Sequence, residues 1–392
     1  MITSSRMNGL NPYVPGEQPK DREYVKINAN ENPYPPSPYV ISSVLEFISK
    51  HPEKLGVYPD PDSLKLHSAI ADMLNKTGGV LSRCKTFAEA DGSVRVEPAE
   101  EDKIPFTVTP DMVYTGNGSD EVLSFVFYAF FDSSKSFVMP KFTYSFYPVY
   151  AGFYNIPSDA VPLKEDWSID MQKMLDISKK NNSGIIFANP NAPTSLAVSR
   201  EEVREMLLKA NKDEIFIVDE AYVDFGGESC IPLLQEFDNL LIVRTFSKSL
   251  CGAGQRLGYI VANPKLINIV TTVKNSVNHF PLDSISQVSG VAACESVDYY
   301  INCAKKVCEV REDFYNFLSE KRFFVLKSKT NFLFVSHPKI SGEEFYQRIK
   351  KEGILIRHFN VQGIENFVRI TVGTKDQMEL LKKAIEKVLG EI

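Results

Sequence analysis

Long apolar runs are missing from this sequence: none reaches the roughly 18 residues that suggest a membrane span, so no membrane partner is expected. Blocks of lysine and arginine are missing too, and the formal net charge is −6. That balance argues against a polyanion-binding surface, and nucleic acid is not an expected partner, although local basic pockets remain compatible with it. Cysteine is sparse: of the six, the nearest pair, Cys303 and Cys308, stands five apart. This is neither a zinc pattern nor the framework of a small disulfide-stapled fold. The five histidines (His51, His67, His279, His337, His358) form no ligand spacing, so no metal is expected. The opening stretch, Met1 to Leu10, is polar and lacks the basic-then-apolar layout of a secretory signal. A reduced, cytoplasmic, metal-free protein is the expectation.

What is present is globular. The 392 residues exceed one ordinary domain, and 43% hydrophobic with 24% charged residues is a soluble composition. The first forty residues are rich in Pro, Asn and Tyr, as in Asn30-Glu31-Asn32-Pro33-Tyr34-Pro35-Pro36, and read as an extended arm. Ser63 to Leu74 carries helical spacing through Leu64, Ile70, Met73 and Leu74. Between Cys84 and Pro105 a charged segment without periodicity reads as an exposed insertion. From Met112 short apolar runs recur: Met112 to Tyr114, Phe137 to Met139, Ile185 to Ala188, Ile215 to Val218, Leu240 to Val243, and Tyr259 to Val261. Such runs suit strands buried on both faces, and helical stretches such as Arg200 to Ala210 lie between them. The alternation predicts a largely parallel α/β sheet. A helix-rich tail follows, with helices over Ala304 to Leu318 and Lys375 to Leu389 and a strand near Phe332 to Val335.

Ligands of open parallel sheets bind beyond the carboxyl ends of the strands. Polar strings stand there: Thr115-Gly116-Asn117-Gly118-Ser119-Asp120-Glu121, Asn189-Pro190-Asn191-Ala192-Pro193-Thr194, Asp219-Glu220-Ala221-Tyr222 and Arg244-Thr245-Phe246-Ser247-Lys248. Taken singly, each has a plain structural reading. Gly118-Ser119-Asp120 could cap a helix or offer its amides to an anion. Asp219 could cap the next turn or meet a cation. Lys248 could be a stem that snorkels to water. Together, with Arg256 eight residues beyond Lys248 in a Gly-rich connection, they form the set that pyridoxal phosphate requires. The lysine amine forms a Schiff base, the carboxylate holds the pyridine nitrogen protonated, and the helix start binds phosphate.

At these residues the sequence resembles the histidinol-phosphate aminotransferases, a subfamily of the fold-type-I aminotransferases, over nearly the whole chain. The strings that carry the resemblance are Pro12-Tyr13-Val14-Pro15-Gly16-Glu17, Asn28-Ala29-Asn30-Glu31-Asn32-Pro33-Tyr34-Pro35-Pro36-Ser37-Pro38 and Tyr58-Pro59-Asp60. With them go Gly116 to Glu121, Val218 to Tyr222, Thr245 to Lys248, Leu355-Ile356-Arg357 and Arg369-Ile370-Thr371-Val372-Gly373-Thr374. The resemblance implies a large domain with a mostly parallel sheet flanked by helices, plus a smaller α+β domain. Residues 1–58 would be an arm and part of the small domain, 59–275 the large cofactor domain, and 276–392 the small C-terminal domain.

The same resemblance implies residue roles. Lys248 would be the Schiff-base lysine and proton shuttle, and Asp219 the partner of the pyridine nitrogen. Tyr222 would bond the cofactor's phenolate oxygen, and Tyr144 would stack on its ring. Gly118, Ser119, Asp120, Ser247 and Arg256 would hold the phosphate, joined by Tyr58 of the neighbouring subunit in an obligate homodimer. Arg369 would clamp the carboxylate of glutamate or 2-oxoglutarate, Arg357 and Tyr13 would lie near the phosphate of histidinol phosphate, and Asn30 would shape the pocket. The sequence departs from the family at one cofactor contact. Where Asn-Pro-Thr-Gly is usual, Ala192 replaces the Asn and Ser195 the Gly; Asn191 is assigned the missing donor, with Asn189 as the alternative. Relatives on this scaffold transaminate phenylalanine or tyrosine, or decarboxylate threonine phosphate. A non-catalytic binding protein on the same fold is the rival of another class, and the intact Lys248, Asp219, Arg256 and Arg369 set weighs against it.

Overall fold

The computed structural model describes residues 2–7, 10–13 and 16–391; Val14 and Pro15 of the Pro12 to Glu17 string lie outside the described residues. The arm contributes a two-residue strand, β1 (Val25–Lys26), before α1 (Pro38–Lys50) begins. Ser37 caps α1 by accepting from the Tyr39 amide, and Pro38 fits the first turn, where no amide partner is needed. Next comes α2 (Leu64–Thr77), which stops at Gly78 with φ +63°. A Cβ there would run into the Asp102 carbonyl, so both φ and space call for glycine.

The stretch expected to be a structureless insertion is a β-hairpin of β2 (Lys85–Ala88) and β3 (Val94–Glu97). Both faces of it are largely solvated; Val94-Arg95-Val96-Glu97 alternates, but only over four residues in a charged segment. Its base is pinned by Asp102, which is 1% exposed and accepts from Arg83 Nε at 2.5 Å and Arg200 Nη2 at 2.7 Å.

The central unit then alternates: β4 (Val113–Asn117), α3 (Gly118–Phe130), β5 (Phe137–Pro140), α4 (Phe146–Tyr154), β6 (Ser158–Val161), α5 (Met171–Asn181), β7 (Gly184–Ala188), α6 (Arg200–Lys209), β8 (Phe216–Asp219), β9 (Leu240–Thr245) and β10 (Leu257–Ala262). These strands form a seven-stranded sheet of order β4-β10-β9-β8-β7-β5-β6. The pairs from β9 to β6 are parallel, and β10 alone runs antiparallel to both its neighbours. Every residue of β7, β8, β9 and β10 is buried, as strands covered by helices on both faces must be.

The remainder is α7 (Pro264–Val277), α8 (Ser284–Glu295), α9 (Val297–Glu320), β11 (Phe324–Val325), β12 (Phe332–Ser336), α10 (Gly342–Lys351), β13 (Ile354–Leu355), β14 (Arg357–His358), β15 (Val368–Thr371) and α11 (Lys375–Gly390). A four-stranded antiparallel sheet runs β11-β12-β15-β14, and β13 pairs in parallel with β1 of the arm. One core lies on each face of the large sheet, and a third joins Ile27 to the C-terminal sheet and helices. Ala292, Ala293, Tyr300 and Val307 belong to the first of these, so α8 and α9 pack against the large sheet's core. Among the described residues no helix is long and apolar enough to cross a membrane, and no cluster of His, Cys, Asp or Glu could hold a metal.

Candidate active site

Two adjoining cavities open at the carboxyl ends of the parallel strands and share Ala29, Tyr144, Ala192, Tyr222 and Lys248. The inner one, of about 280 Å³, is also lined by Ser119, Asp120, Asp219, Ser247 and Arg256. The outer one, of about 520 Å³, adds Tyr13, Asn30, Lys141, Arg357, Phe359 and Arg369. Residues far apart in sequence thus meet because each ends a neighbouring strand or, in the case of the arm and β15, reaches in from the C-terminal unit.

Asp219, the last residue of β8, is 4% exposed. Burial pushes its carboxyl up to about 6, opposed by the Tyr147 hydroxyl, which donates to Oδ2 at 2.8 Å, and the Ala221 amide, which donates to Oδ1 at 3.1 Å. A carboxylate so placed is incompletely compensated inside the protein, and a cationic ring nitrogen is the partner its position suits.

The phosphate end is built where α3 starts. Gly118 has φ +76°, and a Cβ there would stand 2.6 Å from Arg256 Nη2. A Cβ on Gly258 would overlap the Ser119 amide, so both glycines keep backbone and guanidinium close. Arg256 Nη2 lies 3.3 Å from Asp120 Oδ2, and the Tyr144 hydroxyl donates to Asp120 Oδ1 at 2.8 Å. Helix-start amides, an arginine and the hydroxyls of Ser119 and Ser247 make a cradle for a dianionic phosphate. The inner cavity's donor set therefore fits pyridoxal phosphate: the α3 start with Arg256 and two serine hydroxyls for the phosphate, buried Asp219 for the ring nitrogen and Lys248 for the aldehyde carbon all line one cavity.

The arm closes the other side. Asn30, 1% exposed with φ 55°, donates through Nδ2 to the Tyr222 hydroxyl at 2.8 Å, and its amide donates to Thr371 Oγ1 at 3.0 Å. Asn32 Nδ2 donates to the Lys248 carbonyl at 2.9 Å, and Lys248 Nζ lies 5.7 Å from the centre of the Tyr222 ring. Tyr13 packs on Phe146 with ring centroids 4.6 Å apart.

Arg369 is enclosed. Among the described residues its one hydrogen bond is a long one, Nη2 to the Asn28 carbonyl at 3.4 Å, and its buried Nε has no partner. Burial lowers its pKa, and Arg357 pushes in the same direction. Such a guanidinium is set to receive an anion.

Two of the named residues line neither cavity of this chain: Asn191, and Tyr58, whose expected place is the neighbouring subunit's site. Asn191 Nδ2 is committed to the Phe142 carbonyl at 2.9 Å and to Thr194 Oγ1 at 3.0 Å, so it shapes the turn rather than offering a donor. Asn189 is occupied likewise by the Val198 carbonyl, and Ala192 itself faces the cavities. Tyr58 is 80% exposed, stacks on Phe280 at 4.5 Å, and lines a separate cavity of about 510 Å³. Sequence reasoning missed Tyr147, Lys141 and Phe359. Tyr147 stands one helical turn beyond Tyr144, and Lys141 directly follows the β5 run, the strand-end signal that marked Lys248. Phe359 had no comparable signal.

Residues 22–385 match the family described as aminotransferase class I and II. The chain belongs to that family. Among similar aminotransferases, the histidinol-phosphate aminotransferase of Clostridium acetobutylicum is 41% identical over 390 residues, covering 99% of each chain. That of Syntrophus aciditrophicus is 39% identical over 388 residues, 99% of this chain and 98% of the other. The crystal structure of histidinol-phosphate aminotransferase from Sinorhizobium meliloti, in complex with pyridoxal-5'-phosphate, matches with a TM-score of 0.80 at 22% identity, covering 100% of this chain and 99% of that one. The architecture is that of the fold-type-I aminotransferases, as expected.

Proposed function

We propose that this aminotransferase depends on pyridoxal phosphate and moves the amino group of histidinol phosphate to 2-oxoglutarate, forming imidazole acetol phosphate and glutamate, in histidine biosynthesis. One observation carries the choice of substrate. The outer cavity is lined by Lys141, Lys248, Arg357 and Arg369 and, among the described residues, by no Asp or Glu. In a chain of net charge −6 that concentration of positive charge favours substrates with two anionic ends or a dianion. Histidinol phosphate and glutamate meet this; phenylalanine does not.

Bound pyridoxal phosphate supplies an electron sink for the carbon that loses its proton. In this reading Lys248 bonds the cofactor and carries that proton from one carbon to the next. Asp219 holds the proton on the ring nitrogen, and Tyr147 holds Asp219. Tyr222, itself oriented by Asn30, bonds the phenolate oxygen, and Tyr144 stacks on the ring. Gly118, Ser119, Asp120, Ser247 and Arg256 seat the phosphate. Arg369 takes the carboxylate of glutamate or 2-oxoglutarate, with two donors matched to two oxygens. Arg357 and Tyr13 take the phosphate of histidinol phosphate. A cytoplasmic homodimer completes the reading, with Tyr58 reaching the neighbouring subunit's cofactor phosphate; its exposure in the single chain supports this.

The deciding experiment offers histidinol phosphate, phenylalanine, tyrosine and threonine phosphate with 2-oxoglutarate to the holoenzyme while following carbon dioxide. Glutamate formation fastest from histidinol phosphate is the expected result. Preference for an aromatic amino acid, or carbon dioxide from threonine phosphate, would replace the reading with that relative's reaction.

A further inference from the structure

A buried ion network adjoins both Asp219 and Lys248, and none of the roles above uses it. Arg244, on β9 and 3% exposed, lies 3.0 Å from Glu220 Oε2 through Nη2 and 3.6 Å from Asp224 Oδ1 through Nη1. Glu220 also accepts from the Cys230 amide at 2.5 Å and from the Ser229 hydroxyl at 2.9 Å. Asp224 Oδ2 accepts from the buried Ser249 hydroxyl at 2.5 Å, and its Oδ1 accepts from the Leu81 amide at 3.0 Å. The Gly79 carbonyl accepts from Arg244 Nη2 at 2.5 Å, and a Cβ at Gly79 would stand 2.8 Å from that nitrogen, so glycine makes the room. Arg244, Glu220, Asp224 and Ser249 line neither cavity.

Two members of the network are chain neighbours of the assigned pair: Glu220 follows Asp219, and Ser249 follows Lys248. Asp219 ends β8, and Lys248 lies three residues beyond the end of β9, its parallel neighbour. A guanidinium fork can reach two carboxylates at once, which a single ammonium cannot do with the same directionality. Replacing a buried ion network by apolar residues is often neutral or stabilising, so stability is a poor reason for this one. What it supplies is direction, because charge-assisted hydrogen bonds hold their partners at set distances and angles. We propose that Arg244 is a positioning residue that fixes Lys248 relative to Asp219, through Glu220 on one side and Asp224 with Ser249 on the other. A rigid ring that must meet a carboxylate at one atom and an amine at another tolerates little error between them; a misplacement of about 1 Å can cost about 100-fold in rate. This rests on the proposed function in giving Asp219 and Lys248 their roles.

The test uses two variants of the holoenzyme. Ser249→Ala removes the hydroxyl that Asp224 holds, and Arg244→Lys keeps the charge but loses the fork. The Cys251 and Gly252 amides close the Lys248 turn by donating to the Lys248 and Phe246 carbonyls. Hydrogen exchange read by mass spectrometry over residues 246–252 should be at least about 10-fold faster in both variants, although Arg244 touches no residue of that turn but through Asp224. With the best amino donor, kcat should fall about 10- to 100-fold while KM stays within about threefold. The double variant should match the more damaged single one, since both substitutions cut one chain of contacts. Leu381→Ala opens a cavity in the separate C-terminal core and should move neither readout. Unchanged exchange over 246–252 in both single variants, a rise in KM alone, multiplied effects in the double variant, or the same response in Leu381→Ala would overturn the proposal. Exchange needs no turnover, so failure of the proposed reaction, seen with the amino-donor panel, is distinguishable from failure of this proposal.

Discussion

The Tyr147 hydroxyl donates a 2.8 Å hydrogen bond to Asp219 Oδ2, deep beneath the cofactor cavity. Burial raises the Asp219 pKa from 3.8 to about 6, so the folded apoprotein disfavours the ionised form. The sign follows: wild-type apoprotein should lose stability relative to Asp219→Asn as pH rises from about 4 to about 6, by about 3 kcal/mol, and the difference should stay level above that. Denaturant unfolding of both apoproteins across this range measures it. Tyr147→Phe removes a donor that favours the carboxylate and should extend the loss to higher pH. A pH-independent difference would show that Asp219 does not titrate there.

Lys248 should be the residue that bonds the cofactor. Purified protein should be yellow, and borohydride should fix the cofactor on the peptide containing Lys248, read by mass spectrometry. Lys248→Ala should lose transamination by several orders of magnitude and keep its fold by circular dichroism. Label on a different lysine would remove the central assignment.

Arg357→Ala should lower kcat/KM for histidinol phosphate about 10- to 150-fold, the equivalent of losing a charge-assisted hydrogen bond of roughly 1.5–3 kcal/mol. Glutamate, whose side-chain carboxylate can use the same arginine, should lose comparably. Phenylalanine, if turned over, should be nearly unaffected. Equal losses for phenylalanine and histidinol phosphate would recast Arg357 as a support of the pocket.

Subunit mixing tests Tyr58. Tyr58→Ala and Lys248→Ala, each impaired alone, should regain activity when co-expressed, because a mixed dimer contains one site with neither lesion. Absence of recovery in isolated mixed dimers would place Tyr58 outside the shared site.

Much of this protein was legible along the chain because the relevant signals are local. The apolar runs Met112 to Tyr114, Ile215 to Val218 and Leu240 to Val243 lie in strands of the large sheet that end at Asn117, Asp219 and Thr245, and polar residues at a buried strand end need a reason to be there. Lys248, Asp219 and the Gly118-Ser119-Asp120 helix start could therefore be picked out, and the resemblance gave them roles. The hairpin at residues 85–97 stayed hidden because its two strands are only four residues each and largely solvated, so the short Val94-Arg95-Val96-Glu97 alternation was lost among charged neighbours. Asn191 misled because proximity in sequence to Ala192 says nothing about direction: the turn spends its amide on Phe142 and Thr194. The antiparallel course of β10 was equally invisible, since a fully buried strand looks the same in either direction. Tertiary structure alone decided which side chains share a cavity. Asn30 meets Tyr222 192 residues away and Arg357 meets Phe359 and Arg369, through an arm folded back on the site and a small sheet laid beside the large one. Those contacts depend on how whole elements pack, and no local pattern of residues encodes a distance between elements.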